Sequence, residues 1–393
     1  MSLMSAGTVG LLEELPDRFN GFPSDLSLRV RLHAGRANRD VVIDGGVCRV
    51  ERCNGAAFDA EIVTSAETWR AIHEGRLSGI EAFARKRLSV RGSFERSLEF
   101  ETLFDRPRSG GLVYEITNVD AGGVRISTLV AGDRSDPPLL LLHGLGATKV
   151  SWVPAVPLLA QKHCVIVPDL PGFGASEKPR GVHSAQWFAG HALALMDAMG
   201  CERMYAGGHS MGGRIATEMA MLEPDRTLAV VAICPVTVFD RPRALRIARL
   251  ARPELGWFLT RLPRPRVENG LRSLFADPSH VDDDWYEVAA DDFLRRWKSA
   301  KERRAFASSL RRIYLDKPFG RSGFWARLAL LEPPALFVYG RDDVVIRPAL
   351  AEVVAELAPH VRLEVWEDCG HVPQLEYPER TATAMLDFFS DRQ

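Results

Sequence analysis

Cysteine is scarce in this 393-residue chain, and its six copies are scattered. None forms a Cys-x-x-Cys pair or sits in a histidine-rich stretch, which argues against a disulfide framework and a structural zinc site. No apolar run reaches the ~18 residues of a membrane span. The N-terminus also lacks the basic start and long apolar core of a secretion signal. We therefore predict a cytoplasmic protein that binds no metal.

Net charge is nearly absent as well. The 50 basic and 51 acidic residues leave a charge of −1, which gives no reason to expect nucleic acid as a partner. A phosphate-binding loop is missing, and Gly144 and Gly146 are followed by Lys149 where a dinucleotide motif needs a third glycine. We expect no nucleotide cofactor.

A polar Pro/Gly segment at 106–111 is the clearest break in composition and predicts a linker between domains 1–108 and 109–393. The first domain is rich in period-two alternation, as at 26–32, where leucine or valine alternates with polar residues. Ser65 follows the strand-like runs and can cap a helix. This pattern predicts a small α+β domain whose antiparallel sheet carries helices on one side.

The second domain has the opposite pattern. Its short apolar runs are Leu139–Leu142, Cys164–Val167, Leu228–Ile233 and Ala335–Val338. Strands without a polar side are buried on both faces, so these runs predict an α/β fold with a mostly parallel sheet covered by helices. The alternation stops between about 236 and 323, where arginine-rich, helix-like sequence predicts a helical cap.

The strongest local motif is Gly208-His209-Ser210-Met211-Gly212. It follows a strand-like stretch and opens a helix, which is the arrangement of a nucleophile elbow. There, glycines permit a strained turn that lifts the serine above the sheet edge. Ser210 is the candidate nucleophile; the alternative is a glycine-rich turn whose serine only caps the helix.

A second motif, His143-Gly144-Leu145-Gly146, follows the apolar run at 139–142. A turn of this kind can aim backbone N–H groups at a developing oxyanion. In the elbow geometry the donors are the amides of Leu145 and Met211. For His143 itself we favour a structural role in shaping the turn over proton transfer.

The acid and the general base are expected later in the chain, in the order serine, then acid, then histidine. His371 lies in a loop after the strand-like run at 363–366, and Asp343 follows the run at 335–338. His371 would take the serine proton, and Asp343 would hold its imidazole tautomer. Asp342 and Asp240 are alternative carboxylates.

Residues from about 112 to 390 resemble an α/β-hydrolase with a helical cap. The motifs that carry the resemblance, in the family's order, are HGLG at 143–146, VPDLPGFGASEKP at 167–179, GHSMGG at 208–213, GRDD at 340–343 and GH at 370–371. The resemblance implies catalysis without a cofactor. It also implies an acyl hydrolase, since the dehalogenase and epoxide-hydrolase branches carry aspartate where this chain has Ser210.

The expected reaction is hydrolysis of an ester or thioester of an apolar acyl or lipid-like substrate through an acyl-enzyme. Hydrolysis of a carbon–carbon bond and opening of a lactone are alternatives that use the same triad. An alternative of another class is a lipid-binding or transfer protein whose hydrolase half is only a scaffold.

Residues from about 22 to 104 resemble a sterol-carrier-protein-type (SCP2-like) lipid-binding domain, chiefly in the stretch AFARKRLSVRGS at 82–93. Lys86 stands where that family usually has glycine, and Ser93 where it has an acidic residue. The resemblance implies an apolar tunnel for acyl chains or sterols, and hence a bound lipid. The alternative is a domain used only for docking or for packing against the hydrolase.

Eight arginines and a single acid, Glu254, occur between Arg241 and Arg266, interleaved with apolar side chains. A basic amphipathic cap of this kind could contact an anionic membrane surface. The alternative, favoured by four interrupting prolines, is a solvated cap surface balanced by the acidic residues at 282–284 and 291–292.

Overall fold

A computed structural model describes residues 3–21, 27–105, 107, 109–236, 262–314 and 316–391. The chain divides into two compact units, Met1–Ile116 and Thr117–Gln393, called here the N-terminal and C-terminal units. Asp240 and most of the arginine-rich segment lie outside the described residues. Among the described helices, none combines the length and apolar character needed to cross a membrane.

The N-terminal unit carries a five-stranded sheet in the order β3-β2-β1-β4-β5. Its described strands are β1 (Leu28–Ala34), β2 (Ala37–Asp44), β3 (Val47–Glu51), β4 (Ala60–Thr64) and β5 (Leu88–Gly92). Its described helices are α1 (Leu3–Glu13), α2 (Ala66–His73), α3 (Gly79–Ala84) and α4 (Phe94–Thr102). The sheet is mixed, because β1 runs antiparallel to β2 but parallel to β4.

The prediction of a purely antiparallel sheet was therefore wrong. Alternation identifies a strand and its buried side, but it carries no information about which strand lies next to it or in which direction. The local features were predicted correctly. Val30 and Leu32 are buried in β1, and the Ser65 side chain caps α2 by accepting a hydrogen bond from the Thr68 N–H.

Lys86 adopts φ +54°, in the left-handed region that glycine occupies at little cost. A lysine is an uncommon occupant of this region.

The C-terminal unit is built on an eight-stranded sheet in the order β13-β12-β11-β10-β8-β9-β7-β6. Its strands are β6 (Tyr114–Asp120), β7 (Arg125–Ala131), β8 (Pro138–Leu142), β9 (Cys164–Pro168), β10 (Met204–His209), β11 (Thr227–Ile233), β12 (Ala335–Gly340) and β13 (Arg362–Trp366). The pairs from β13 through β10 to β8 and β9 are parallel, whereas β7 runs antiparallel to β9. The predicted mostly parallel sheet is confirmed.

The described helices of this unit are α5 (Val156–Leu159), α6 (Ala185–Ala198), α7 (Met211–Leu222), α8 (Arg264–Arg272), α9 (Asp283–Trp297), α10 (Ala300–Tyr314), α11 (Phe324–Leu328), α12 (Leu350–Leu357), α13 (Pro373–Glu376) and α14 (Pro378–Ser390). Strands β8, β10, β11 and β12 are buried along nearly their whole length, as two covered faces require. Between β11 and β12, the residues 262–314 and 316–334 form what we call the insertion; it contains α8 to α11.

Candidate active site

Ser210 stands at the turn between β10 and α7, with φ +53° and ψ −112°. Two neighbouring glycines make this turn possible. A Cβ atom on Gly208 would overlap the Gly212 carbonyl, and one on Gly212 would overlap the carbonyl of Leu142 in β8. The glycines of the motif are thus required by close backbone approach, and together they hold the serine at the end of the sheet.

The structure brings the three predicted side chains into one hydrogen-bonded chain. Ser210 Oγ lies 3.1 Å from His371 Nε2, and His371 Nδ1 lies 2.7 Å from Asp343 Oδ2. All three residues are buried, with at most 5% of their surface exposed. With Nδ1–H donating to the carboxylate, Nε2 is left to accept the serine proton.

Asp343 rather than Asp342 meets the histidine. Its Oδ1 atom accepts hydrogen bonds from the N–H groups of Val345 and Ile346, at 2.7 and 2.8 Å. Oδ2 is thereby left for His371. Asp342 is exposed, and its described hydrogen bond is made by its backbone, to the Cys369 carbonyl.

The predicted oxyanion turn lies directly beside the nucleophile. A Cβ atom placed on Gly144 would come within 3.4 Å of Ser210 Cβ. Leu145 follows in the same turn, and Met211 is the first residue of α7, where helical N–H groups have no partner within the helix. The turn and the first residue of α7 therefore both lie next to Ser210.

His143 is part of the scaffold of that turn. Its Nδ1–H donates to the Gly144 carbonyl at 2.8 Å, and its Nε2 accepts from the Leu170 N–H at 2.9 Å. Burial lowers the pKa of His143 to about 4, so the ring is neutral near pH 7. Both ring nitrogens are used to shape the loop.

A buried ion pair lies just after the turn at 143–146 in the chain. Lys149 Nζ lies 2.8 Å from Asp169 Oδ2, and both side chains are fully buried. Asp169 also accepts the backbone N–H groups of Lys149 and Ala175, each at 2.8 Å. Burial alone would raise the pKa of Asp169, but the adjacent Lys149 ammonium holds it below its ordinary value. The sequence analysis missed this pair.

His209, inside the Gly-x-Ser-x-Gly motif, is a second residue to which the sequence analysis gave no role at the site. Its Nε2–H donates to the backbone carbonyl of His371 at 2.7 Å. Burial, and next the neighbouring His371, lower the pKa of His209 well below its usual range. The position of His209 next to the candidate nucleophile could have suggested a role at the site. Its hydrogen-bond acceptor, however, lies 162 residues away in the sequence, so the partner could not be predicted.

The insertion reaches the site at two backbone positions. Leu274 accepts a hydrogen bond from the His371 N–H at 2.6 Å. Arg296, on α9, donates to the Gly146 carbonyl at 3.1 Å. Next to this contact, a Cβ on Gly146 would meet the ring of Phe306 at 2.9 Å. The insertion thus contacts both the loop that carries His371 and the turn at 143–146.

One group in the described residues has the composition of a metal site. The ligand atoms of Cys234, Asp343 and His371 lie within 4.8 Å of one another. Burial, and next the charge of Asp343, raise the pKa of the Cys234 thiol well above its usual value. A protonated thiol is a poor ligand, and the other two side chains already bond each other. Asp343 and His371 therefore fit the hydrogen-bonded chain to Ser210 better than a metal centre that includes Cys234.

Comparison with known proteins bears on the C-terminal unit. An uncharacterised protein of Mycobacterium tuberculosis is 31% identical over 277 residues, covering 66% of this chain and 76% of that protein. The 2-hydroxymuconate semialdehyde hydrolase of Pseudomonas sp. strain CF600 is 27% identical over 277 residues, covering 69% and 92%.

Among solved structures, a bacterial membrane phospholipase A superposes with a TM-score of 0.57 at 26% identity, over 71% of this chain and 86% of that one. The N-terminal unit has no family assignment. The alpha/beta hydrolase fold family, in contrast, matches residues 137–378, which is more than half of the chain and includes the whole triad. The protein belongs to the alpha/beta hydrolase fold family.

Proposed function

We propose that the protein is a serine hydrolase that cleaves an ester or thioester of an apolar acyl or lipid-like substrate. The observation that carries the proposal is the buried chain from Ser210 through His371 to Asp343, with distances of 3.1 and 2.7 Å. A serine is a weak nucleophile until a base removes its proton, and this geometry supplies that base.

In the proposed reaction, Ser210 Oγ attacks the substrate carbonyl while its proton passes to His371 Nε2. The carbonyl oxygen becomes an oxyanion held by the Leu145 and Met211 amides. His371 then returns the proton to the leaving alkoxide or thiolate, which departs as the acyl-enzyme forms. Water, deprotonated by His371, attacks the acyl-enzyme and restores the serine. Asp343 accepts the Nδ1–H bond throughout and stabilises the charged ring.

An apolar substrate is supported by the aromatic side chains that the insertion, here proposed as a cap, holds near the oxyanion turn. Phe293 and Trp297 stack at 5.3 Å between ring centroids, and Phe306 meets Trp297 edge to face at 5.3 Å. Phe306 also lies against Gly146. Apolar walls of this kind favour burial of an acyl chain or a ring. The similarity to a phospholipase A points the same way.

The test is covalent labelling by a fluorophosphonate probe, read by intact mass. The wild type should gain a single adduct, whereas Ser210→Ala should gain none. Ser135→Ala is the matched control, because Ser135 is exposed in a surface turn, and it should label like the wild type. A wild type that stays unlabelled and hydrolyses no p-nitrophenyl ester would overturn the proposal.

The second candidate is hydrolysis of a carbon–carbon bond, and the observation that favours it is the similarity to 2-hydroxymuconate semialdehyde hydrolase over 92% of that enzyme. The same nucleophile and base would act on a vinylogous diketone, and lactone opening would need no different residues. Turnover of such dienoates or lactones, with p-nitrophenyl esters untouched, would select these reactions over acyl-ester hydrolysis.

We further propose, on the resemblance at 82–93, that the N-terminal unit binds a lipid and raises its concentration beside the hydrolase. Solvent extraction of the purified full-length protein, followed by mass spectrometry, should release an acyl lipid or sterol. A lipid-free extract from protein that still hydrolyses esters would reject lipid binding. Bound lipid with no catalysis on any ester would instead favour the lipid-transfer alternative.

A further inference from the structure

Glu376, at the end of α13, is a carboxylate with no exposed side-chain surface. One oxygen, Oε2, accepts the Gly370 N–H at 2.7 Å. The other, Oε1, accepts the N–H groups of Ala276 and Asp277 in the insertion, at 2.9 and 3.0 Å. His280 Nδ1 lies farther away, at 3.5 Å from Oε1. The carboxylate therefore links Gly370, the residue before His371, to residues 276–277 of the insertion.

The peptide of His371 itself is held by the same surroundings. Its N–H donates to Leu274 at 2.6 Å, and its carbonyl accepts from His209 Nε2 at 2.7 Å. Gly370 packs so tightly that a Cβ atom there would overlap the Leu274 carbonyl. Residues 370–371 thus pack against residues 274–277 of the insertion, and Glu376 hydrogen-bonds to both segments.

We infer that Glu376 is a positioning residue that couples the seating of residues 274–277 to the orientation of His371. The inference rests on the proposed serine-hydrolase function, in which His371 is the general base. A buried carboxylate is stable only while its oxygens are hydrogen-bonded. If residues 274–277 move away, Oε1 loses both of its backbone donors. The carboxylate must then rotate or bind water, and either change weakens its hydrogen bond from the Gly370 N–H.

The consequence for catalysis follows from the short distances in the triad. Displacement of a catalytic group by about 1 Å can cost about 100-fold in rate. His371 acts in both acylation and deacylation, so loosening of residues 370–371 slows both steps. Substrate binding against the aromatic side chains of the insertion does not depend on the histidine orientation.

The test compares Glu376→Gln with Glu379→Gln, the same chemical change at an exposed position on α14. A glutamine amide nitrogen cannot accept, so whichever way it turns, one set of N–H groups loses its acceptor. Active sites are first counted by fluorophosphonate labelling carried to completion, and kcat for p-nitrophenyl butyrate is expressed per labelled site. We expect Glu376→Gln to lower this kcat about 10- to 100-fold with KM changed less than about twofold. Glu379→Gln should match the wild type.

A purely structural role gives a different result, in which the labelled fraction and Tm fall while kcat per labelled site stays within about twofold of the wild type. That outcome would overturn the inference. Hydrogen exchange on the wild type tests it independently, also if Glu376→Gln fails to fold. After division by their intrinsic exchange rates, amides 276, 277 and 370 should give one common opening free energy, and separate values would reject the coupling. A wild type without esterase activity or labelling would contradict the proposed function, whereas exchange would still test the connection.

Discussion

At the scale of single residues, the elbow is shaped by the absence of two Cβ atoms. A methyl group on Gly212 would overlap the backbone of Leu142, which cannot move without disturbing β8. We expect Gly212→Ala to displace Ser210 and to lower kcat/KM for any ester that the wild type cleaves at least about 100-fold. Steady-state kinetics on purified protein measures this.

The matched control for that substitution is Gly190→Ala, in the interior of α6. A Cβ atom there meets nothing within 4 Å, and alanine is the better helix former. Gly190→Ala should keep full activity and gain about 0.5–1 kcal/mol of stability. Equal activity in the two alanine variants would contradict the steric account of the elbow.

His143 makes the stability of the C-terminal unit depend on pH. Burial lowers its pKa from 6.5 to about 4, so the folded state resists the proton that the unfolded chain accepts. This contribution is fully present above pH 6.5 and is lost as the pH falls toward 4. By linkage it amounts to about 3 kcal/mol. His183, whose pKa burial also lowers to about 4, acts in the same direction.

Urea unfolding at a series of pH values measures the effect. His143→Gln keeps an acceptor for the Leu170 N–H but has no ionisable ring. It should be less stable than the wild type at pH 7 and should lose less stability between pH 6.5 and 4. The exposed His360→Gln serves as the control. Parallel curves for the wild type and His143→Gln would refute this origin of the pH dependence.

At the scale of elements, the loops after β8 and β9 are joined by the buried pair of Lys149 and Asp169. Lys149→Met would leave a buried carboxylate without its counter-ion. We expect a loss of about 3–5 kcal/mol in the free energy of unfolding. Arg341→Met removes one partner of an exposed pair with Glu367 and should cost less than about 1 kcal/mol. Similar losses from both substitutions would argue against a supporting role for the buried pair.

At the scale of the whole molecule, each unit buries its own apolar core. Leu32 belongs to the core of the N-terminal unit, and Leu140 to that of the C-terminal unit. We expect two calorimetric transitions, because units with separate cores can unfold separately. Leu32→Ala should destabilise one by about 2–5 kcal/mol, and Leu140→Ala the other. A single transition shifted by both variants would show that the chain unfolds as one unit.

Several strands, the turn at Ser210 and one helix start could be predicted from the sequence. The apolar runs predicted at 139–142, 164–167, 228–233 and 335–338 lie in β8, β9, β11 and β12, and they carry no polar side because both faces of the sheet are covered. The glycines around Ser210 mark a turn that few other residues could make. Ser65 predicted the start of α2 because a serine caps a helix by bonding to an N–H group three residues later. Each of these signals lies within a few neighbouring residues.

The remaining features depend on contacts between distant parts of the chain. The parallel pairing of β1 with β4 joins strands about 30 residues apart, which alternation does not specify. Glu376 meets donors about 100 residues away, and nothing in its sequence neighbourhood separates it from a surface glutamate. The choice of Asp343 over Asp342 likewise depended on which carboxylate the loop turned inward.

The amino-acid sequence alone thus determined the parallel sheet and the elbow, because these follow from periodicity and turn chemistry over short stretches. The order of the serine, the acid and the histidine along the chain was instead taken from the known order of the α/β-hydrolase motifs. Tertiary structure alone decided how the loop that carries His371 is held, through Glu376, His209 and Leu274. The physical reason is that a buried polar group takes its partners from whichever segments folding brings beside it, and their separation along the chain leaves no local pattern.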